Sequence, residues 1–130
     1  MAESGISDIF ISNEVVGRQK MIRLTRLAEK VRLMVAADDL ENVMELGRSC
    51  READVEVGVY VDVDCGMHRT GVAPEKAWEI AEKMTEHEGL YLVGVMGYEG
   101  HAGAPTNRDE SRLVDGAVKA TLRAVQIMKA

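Results

Sequence analysis

Apolar residues along the chain alternate between short continuous runs, which predict buried strands, and stripes with the spacing of a helix. The runs that predict strands span residues 8–13, 31–37, 55–64 and 91–98. Stripes that predict helices follow each run, starting near Gly17, Asp38, Pro74 and Asn107. The pattern therefore predicts four successive strand–helix units.

The third run alternates most strictly, because every second residue from Val55 to Val63 is a valine. The residues between these valines include Tyr60, Asp62 and Asp64. Since successive strand residues point to opposite faces, one face of this strand can pack while the other can carry chemistry.

Capping signals set the expected helix ends. Asp38 is followed three residues later by Glu41, the spacing of a capping box, so the second helix is predicted to start after Asp38. Pro74 suits the first turn of the third helix, and Gly89 suits its end. At the beginning of the chain, residues 1–5 (MAESG) are typical of the last turn of a helix. Met1 is therefore expected to be an internal methionine of a longer protein.

Strands joined by single helices must run parallel, because each crossover returns the chain to the same end of the sheet. A complete eight-stranded (β/α)8 barrel takes about 250 residues. The 130-residue chain is therefore expected to be α/β, one domain over 1–130 that forms about half of a TIM-type barrel. An open Rossmann-type sheet is the alternative, but no GxGxxG motif follows a strand.

Composition narrows the class of partners. A net charge of −6 argues against binding nucleic acid through its phosphates, and no apolar run approaches the roughly 20 residues of a membrane span. Cys50 and Cys65 form no CxxC pair, which favours reduced thiols and a cytoplasmic location.

Two strand ends carry candidate site residues. Arg69 lies in a segment bounded by glycines (DVDCGMHRTGV) and could meet an anionic oxygen, although pairing with Asp62 or Asp64 is an equally ordinary role. In VMGYEGHAG, Tyr98 could face a planar ring and His101 could act as acid or base, or both could be surface residues. Cysteine and histidine side chains form no closed ligand set, so no metal site is assigned to the chain.

These motifs resemble a known family. DVDCGMHRTGV is similar to the strand-end motif of alanine-racemase-like (fold type III) pyridoxal-phosphate barrels, and FISNEVVG, VAADDLENV and GVMGYEGH resemble the D-threonine aldolase, D-serine dehydratase and 3-hydroxy-D-aspartate aldolase branch. The resemblance covers nearly the whole chain. It implies pyridoxal phosphate as cofactor, with Arg69 on a cofactor oxygen, Tyr98 against the ring and His101 in the active site, and a D-3-hydroxyamino acid substrate that undergoes aldol cleavage or dehydration.

The resemblance also implies missing parts. The family's Schiff-base lysine precedes the first strand found here, and the branch's divalent-metal ligands belong to a C-terminal β domain. All six lysines fall in predicted helices (Lys20, Lys30, Lys76, Lys83, Lys119 and Lys129). The chain is therefore expected to be an enzyme fragment that is inactive alone, and its unpaired sheet edges favour a homodimer. A non-catalytic pyridoxal-phosphate-binding barrel and an amino-acid racemase of the same fold are the alternatives.

Overall fold

The computed structural model describes residues 2–102 and 108–128, in which strands and helices alternate as the pattern predicts. The strands are β1 (Asp8–Glu14), β2 (Arg32–Ala37), β3 (Val57–Asp62) and β4 (Leu90–Met96). The helices are α1 (Arg18–Ala28), α2 (Leu40–Ala53), α3 (Ala77–Thr85) and α4 (Arg108–Met128), with 3-10 turns at Ala2–Ser4 and Pro74–Lys76. The expected start of α4 at Asn107 lies outside the described residues.

All four strands pair in parallel, in the order β1-β2-β3-β4. Each strand therefore lies beside its neighbour in sequence, which is the order of a barrel. A Rossmann-type sheet would instead reverse its strand order at a switch point. The observed order confirms half of a (β/α)8 barrel and disfavours the open sheet.

The core lies between the sheet and the helices. Val57, Val59, Val61 and Val63 of the β3 segment are each at most 1% exposed, which confirms the predicted apolar face. Residues of the helices pack against this apolar face (Met21, Leu24, Val43, Leu46, Cys50, Ile80 and Met84). The opposite face of the sheet carries Phe10 and Tyr60, whose ring centroids are 4.7 Å apart.

The predicted cap of α2 was wrong by one residue. Asp39 rather than Asp38 caps the helix, and its side chain accepts a hydrogen bond from the Asn42 amide at 2.9 Å. Asp38 is directed elsewhere, because its carboxylate accepts a bond from the Gly71 amide at 2.8 Å. A capping pattern cannot separate two adjacent aspartates when a long-range donor competes for one of them.

The inner face of α4 is built from small residues. Ala117 and Ala124 are buried, whereas Val118, which the helical spacing placed on the same face, is 51% exposed. In the part of the chain that the structure describes, no helix combines the length and apolarity needed to cross a bilayer.

Helices α2 and α3 approach closely at Gly47. The His87 ring lies against this glycine, and a Cβ added at Gly47 would come 2.7 Å from the His87 Cβ. The His87 Nε2 is buried and has no hydrogen-bond partner among the described residues.

Two helical glycines should therefore respond oppositely to alanine. We expect Gly47→Ala to lower the free energy of unfolding by about 1–3 kcal/mol, because the new methyl group overpacks against His87. Gly116→Ala, in an exposed position of α4 with open space around it, should raise that free energy by about 0.5–1 kcal/mol through helix propensity. Urea unfolding followed by circular dichroism measures both, and equal effects of the two substitutions would contradict the close approach.

Candidate functional site

A cavity of ≈ 340 Å³ opens at the edge of the sheet where the strands end. Its lining comes from the ends of β1, β3 and β4 and from the loop after β3 (Ser12, Asn13, Glu14, Asp62, Arg69, Thr70, Met96 and Tyr98). Parallel strands deliver their carboxyl ends to one edge, and ligands of such folds bind there. Arg69 and Tyr98, both singled out from the sequence, meet in this cavity.

The Arg69 guanidinium lies over the Tyr98 ring, with its Cζ 5.6 Å from the ring centroid. This distance is within the range of cation–π attraction. The alternative of an Arg69 pair with Asp62 or Asp64 is not what the geometry favours, because Asp62 accepts a bond from Thr70 and Asp64 pairs with His68. Both side chains of the Arg69–Tyr98 contact remain exposed, so a ligand can reach them.

The loop that carries Arg69 spans residues 64–71 and is closed at its base. The Asp64 amide donates to the Val72 carbonyl at 2.8 Å, and the Val72 amide donates to the Asp62 carbonyl at 3.0 Å. Gly71 has a φ of 90°, and a Cβ there would lie 2.5 Å from the Asp64 nitrogen. Only glycine fits this position, because the loop backbone packs directly against the backbone of Val63 and Asp64.

Three carboxyl groups lie close together at this edge of the sheet, beside the cavity. Oxygens of Glu14, Asp38 and Asp62 all lie within 4.8 Å of one another. A register shift lies just before Glu14 in β1, because Glu14 pairs with Ala36 although the preceding register would pair it with Asp38. The three carboxyl groups nevertheless converge at this end of the sheet.

Burial and mutual repulsion favour protonation within this cluster. Desolvation raises the pKa of Glu14 above its ordinary value, and the nearby charges of Asp38 and Asp62 raise it further. Desolvation also raises the pKa of Asp62, although hydrogen bonds from Thr70 and Glu14 oppose this effect. The two carboxyls can therefore share a proton, with Glu14 donating to Asp62.

The carboxyl cluster was not identified from the sequence. Its three oxygens have a spacing that could hold a cation, yet they already accept bonds from Thr70 and the Gly71 amide. The available signal was the presence of acidic residues at the ends of three consecutive strands. Their convergence depends on the strand register, which the sequence does not show.

His101 lies at the margin of the site. Its ring is exposed and sits against Gly66, where an added Cβ would be 3.2 Å from the His101 Nε2. His101 is not among the described residues that line the cavity. Its expected catalytic role remains a prediction.

A sequence model of the alanine racemase N-terminal domain matches residues 9–129. The chain belongs to this family. Among its relatives, a 3-hydroxy-D-aspartate aldolase of Paracoccus denitrificans is 30% identical over 99% of this chain and 34% of its own length. An uncharacterised protein of Mycobacterium tuberculosis is 34% identical over 84% of the chain and 64% of its own length.

The fold of this alanine racemase N-terminal domain agrees with solved structures. The crystal structure of a D-threonine aldolase from Filomicrobium marinum superposes with a TM-score of 0.93 at 27% identity, over 99% of this chain. The match covers 35% of that aldolase, so the chain spans about a third of the length of the named aldolases it resembles. The family match and the likeness to two named aldolases confirm the family that the motifs indicated.

The carboxyl cluster predicts how stability depends on pH. Below the ordinary Glu pKa of 4.5, Glu14 is protonated in both folded and unfolded chains and contributes no difference. Above 4.5 the unfolded chain releases this proton while the folded chain retains it, so stability should fall until the raised folded pKa is passed. Glu14→Gln keeps a neutral side chain and should reduce this fall, making the variant more stable than the wild type at pH 8 but not at pH 4.

Urea unfolding between pH 4 and pH 8 measures the difference between Glu14→Gln and the wild type. Glu79→Gln, on the exposed face of α3, is the matched control and should follow the wild-type profile. Parallel profiles for Glu14→Gln and the wild type would contradict proton sharing in the cluster.

Proposed function

We propose that this chain forms part of a pyridoxal-phosphate site in an enzyme that acts at the α and β carbons of D-3-hydroxyamino acids, by aldol cleavage or dehydration. The cavity at the strand ends carries the proposal, because it combines the cationic Arg69 with the aromatic Tyr98. Two of the named relatives are aldolases of D-amino acids, which supports the substrate class.

The side chains of the cavity fit such a cofactor in chemical character. The Arg69 guanidinium can donate hydrogen bonds to an anionic ring oxygen, and the Tyr98 ring can pack against a flat heterocycle. When bound, pyridoxal phosphate supplies an electron sink for the charge that develops as a bond at the substrate's α carbon breaks. The chain's own contribution is to orient the ring and to keep protonatable groups, Glu14 and His101, nearby.

None of the lysines that the structure describes supplies a covalent attachment point within this cavity. Lys20, Lys83 and Lys119 lie on helices, and Lys76 lies in the 3-10 turn before α3. Lys30 was expected in a helix but follows α1 in the turn that leads into β2, at the amino end of the strand. Lys129 lies outside the described residues, and no described lysine lines the cavity.

We therefore propose that the lysine, the phosphate-binding loops and the metal ligands of the parent enzyme are contributed by segments other than residues 1–130. A cofactor-binding barrel without catalysis is the second candidate, and the cavity without a lysine is the observation that favours it. An amino-acid racemase of the same fold shares the same cavity features. The two buried cysteines are free thiols, which supports a cytoplasmic location.

The chain alone should not cleave D-threonine, because no lysine among residues 2–102 and 108–128 lines the cavity to attach the cofactor. Purified chain with added pyridoxal phosphate, assayed for release of acetaldehyde and glycine, tests this expectation. Turnover at the rate of a full-length D-threonine aldolase would contradict it.

Cofactor binding by the chain should be weak and should depend on Arg69. Pyridoxine 5′-phosphate is the suitable probe, since it lacks the aldehyde that modifies surface lysines. We expect a dissociation constant above the micromolar range, which Arg69→Gln should raise about tenfold through loss of a charge-assisted hydrogen bond. Arg26→Gln, at an exposed position of α1, should leave the constant unchanged.

A titration followed by NMR chemical shifts measures these dissociation constants. Micromolar binding would show that the chain already contains the main phosphate contacts. An Arg69→Gln constant equal to that of the wild type would remove Arg69 from the proposed site.

A homodimer is proposed for the isolated chain, because β1 and β4 stand at the two ends of the described sheet. Unpaired parallel edges invite pairing with another copy. Sedimentation velocity over a range of concentrations should show a dimer, and a monomer at every concentration would refute it.

A further inference from the structure

Arg69 is flanked on both sides by residues tied to carboxylates. On its amino side, Asp64 Oδ1 accepts bonds from the Gly66 amide at 2.9 Å and the His68 amide at 3.0 Å, while Asp64 Oδ2 contacts His68 Nδ1 at 2.7 Å. On its carboxyl side, the Thr70 hydroxyl donates to Asp62 at 2.9 Å. The residues on either side of Arg69 are therefore held by aspartates of the β3 segment, through backbone amides on the amino side and a side-chain hydroxyl on the carboxyl side.

His68, next to Arg69, has an unusual backbone conformation. Its φ is 54°, in the left-handed region that glycine and asparagine tolerate better than other residues. All three Asp64 contacts act on this residue or just before it. Without them, the chain would gain by relaxing His68 towards an ordinary conformation, and Arg69 would turn with it.

The importance of the contact does not lie in the ion pair alone. The His68 side chain is 81% exposed, and solvent screens an exposed pair strongly. The two amide bonds to the Asp64 carboxylate are charge-assisted and directional, and they lower the pKa of Asp64 to about 2. The carboxylate is thus ionised at any ordinary pH, so its hydrogen bonds to Gly66 and His68 persist and do not act as a pH switch.

We propose that Asp64 is a positioning residue, which holds His68 in the left-handed conformation and so aims the Arg69 guanidinium over Tyr98 and into the cavity. The inference rests on the proposed function, because it assigns Arg69 the role of meeting the ligand. It adds a residue that does not line the 340 Å³ cavity but determines where the Arg69 guanidinium lies within it.

The first test needs no ligand. In isotopically labelled chain of residues 1–130, the Arg69 side-chain protons should be shifted upfield by the Tyr98 ring, and Tyr98→Leu should abolish this shift. Asp64→Ala should abolish most of it as well. Asp54→Ala is the control, because it removes another aspartate, at the end of α2, where Asp54 itself has a positive φ (53°) like that of His68, and it should leave the Arg69 shift intact.

Substitutions at His68 separate the backbone from the side chain. His68→Gly removes the Nδ1 contact but accepts the left-handed conformation, whereas His68→Ala removes the contact and disfavours the conformation. We expect the Arg69 shift to be largely kept in His68→Gly and reduced in His68→Ala. Equal shifts in the two variants would overturn the proposed role of the backbone conformation.

A double-mutant cycle tests whether Asp64 acts through Arg69. Asp64→Ala should weaken binding of pyridoxine 5′-phosphate by about the same factor as Arg69→Gln, roughly tenfold, and should add nothing further in the Arg69→Gln background. Independent losses in the double variant would refute the proposal. An unchanged Arg69 shift in folded Asp64→Ala would also refute it.

The two experiments distinguish failure of this inference from failure of the proposed function. If pyridoxine 5′-phosphate does not bind the wild type while Asp64→Ala still displaces Arg69, the proposed function fails and the positioning role stands. If the ligand binds and responds to Arg69→Gln but not to Asp64→Ala, the positioning role fails and the proposed function stands. Circular dichroism on each variant confirms that the chain is folded.

Discussion

Parallel pairing of the four strands is the constraint on which the site depends. Each crossover helix returns the chain to the same end of the sheet, so the residues that follow β1, β2, β3 and β4 all emerge at one edge. Side chains far apart in sequence, such as Glu14 and Asp62, thereby become neighbours. The cavity is formed by the strand ends and by the loops that follow them at this edge. The helices instead pack against one face of the sheet, where the core lies.

At this edge, aspartate carboxylates accept hydrogen bonds from the neighbouring loop, and one of these residues, Asp62, also lines the cavity. Asp38 binds the Gly71 amide, Asp62 binds the Thr70 hydroxyl and Asp64 binds the amides of Gly66 and His68. Loop backbone that is not paired in a sheet still needs partners for its polar groups, and the acidic strand ends provide them.

The structure also explains why the alternation of β3 was so informative. A strand that packs against helices on one face and faces a cavity on the other carries apolar residues such as valine in every second position, and the residues between them can be polar. Val61 and Val63 pack in the core, and Asp62 between them turns towards the carboxyl cluster. Fold and site were thus predictable from the same strand, β3. Burial in the core restricts the valines to apolar residues, whereas the residues between them are free to be polar.

The sequence by itself determined the order and type of the elements, their parallel direction and the meeting of Arg69 with Tyr98 at one edge. These features follow from periodicity and chain connectivity, which are local properties. Tertiary structure alone decided that Asp39 caps α2, that His87 packs on Gly47 and that Glu14, Asp38 and Asp62 converge. Each of these outcomes depends on contacts between segments that are distant in sequence, either long-range hydrogen bonds or close packing, and these contacts form only when the strands and helices are packed together.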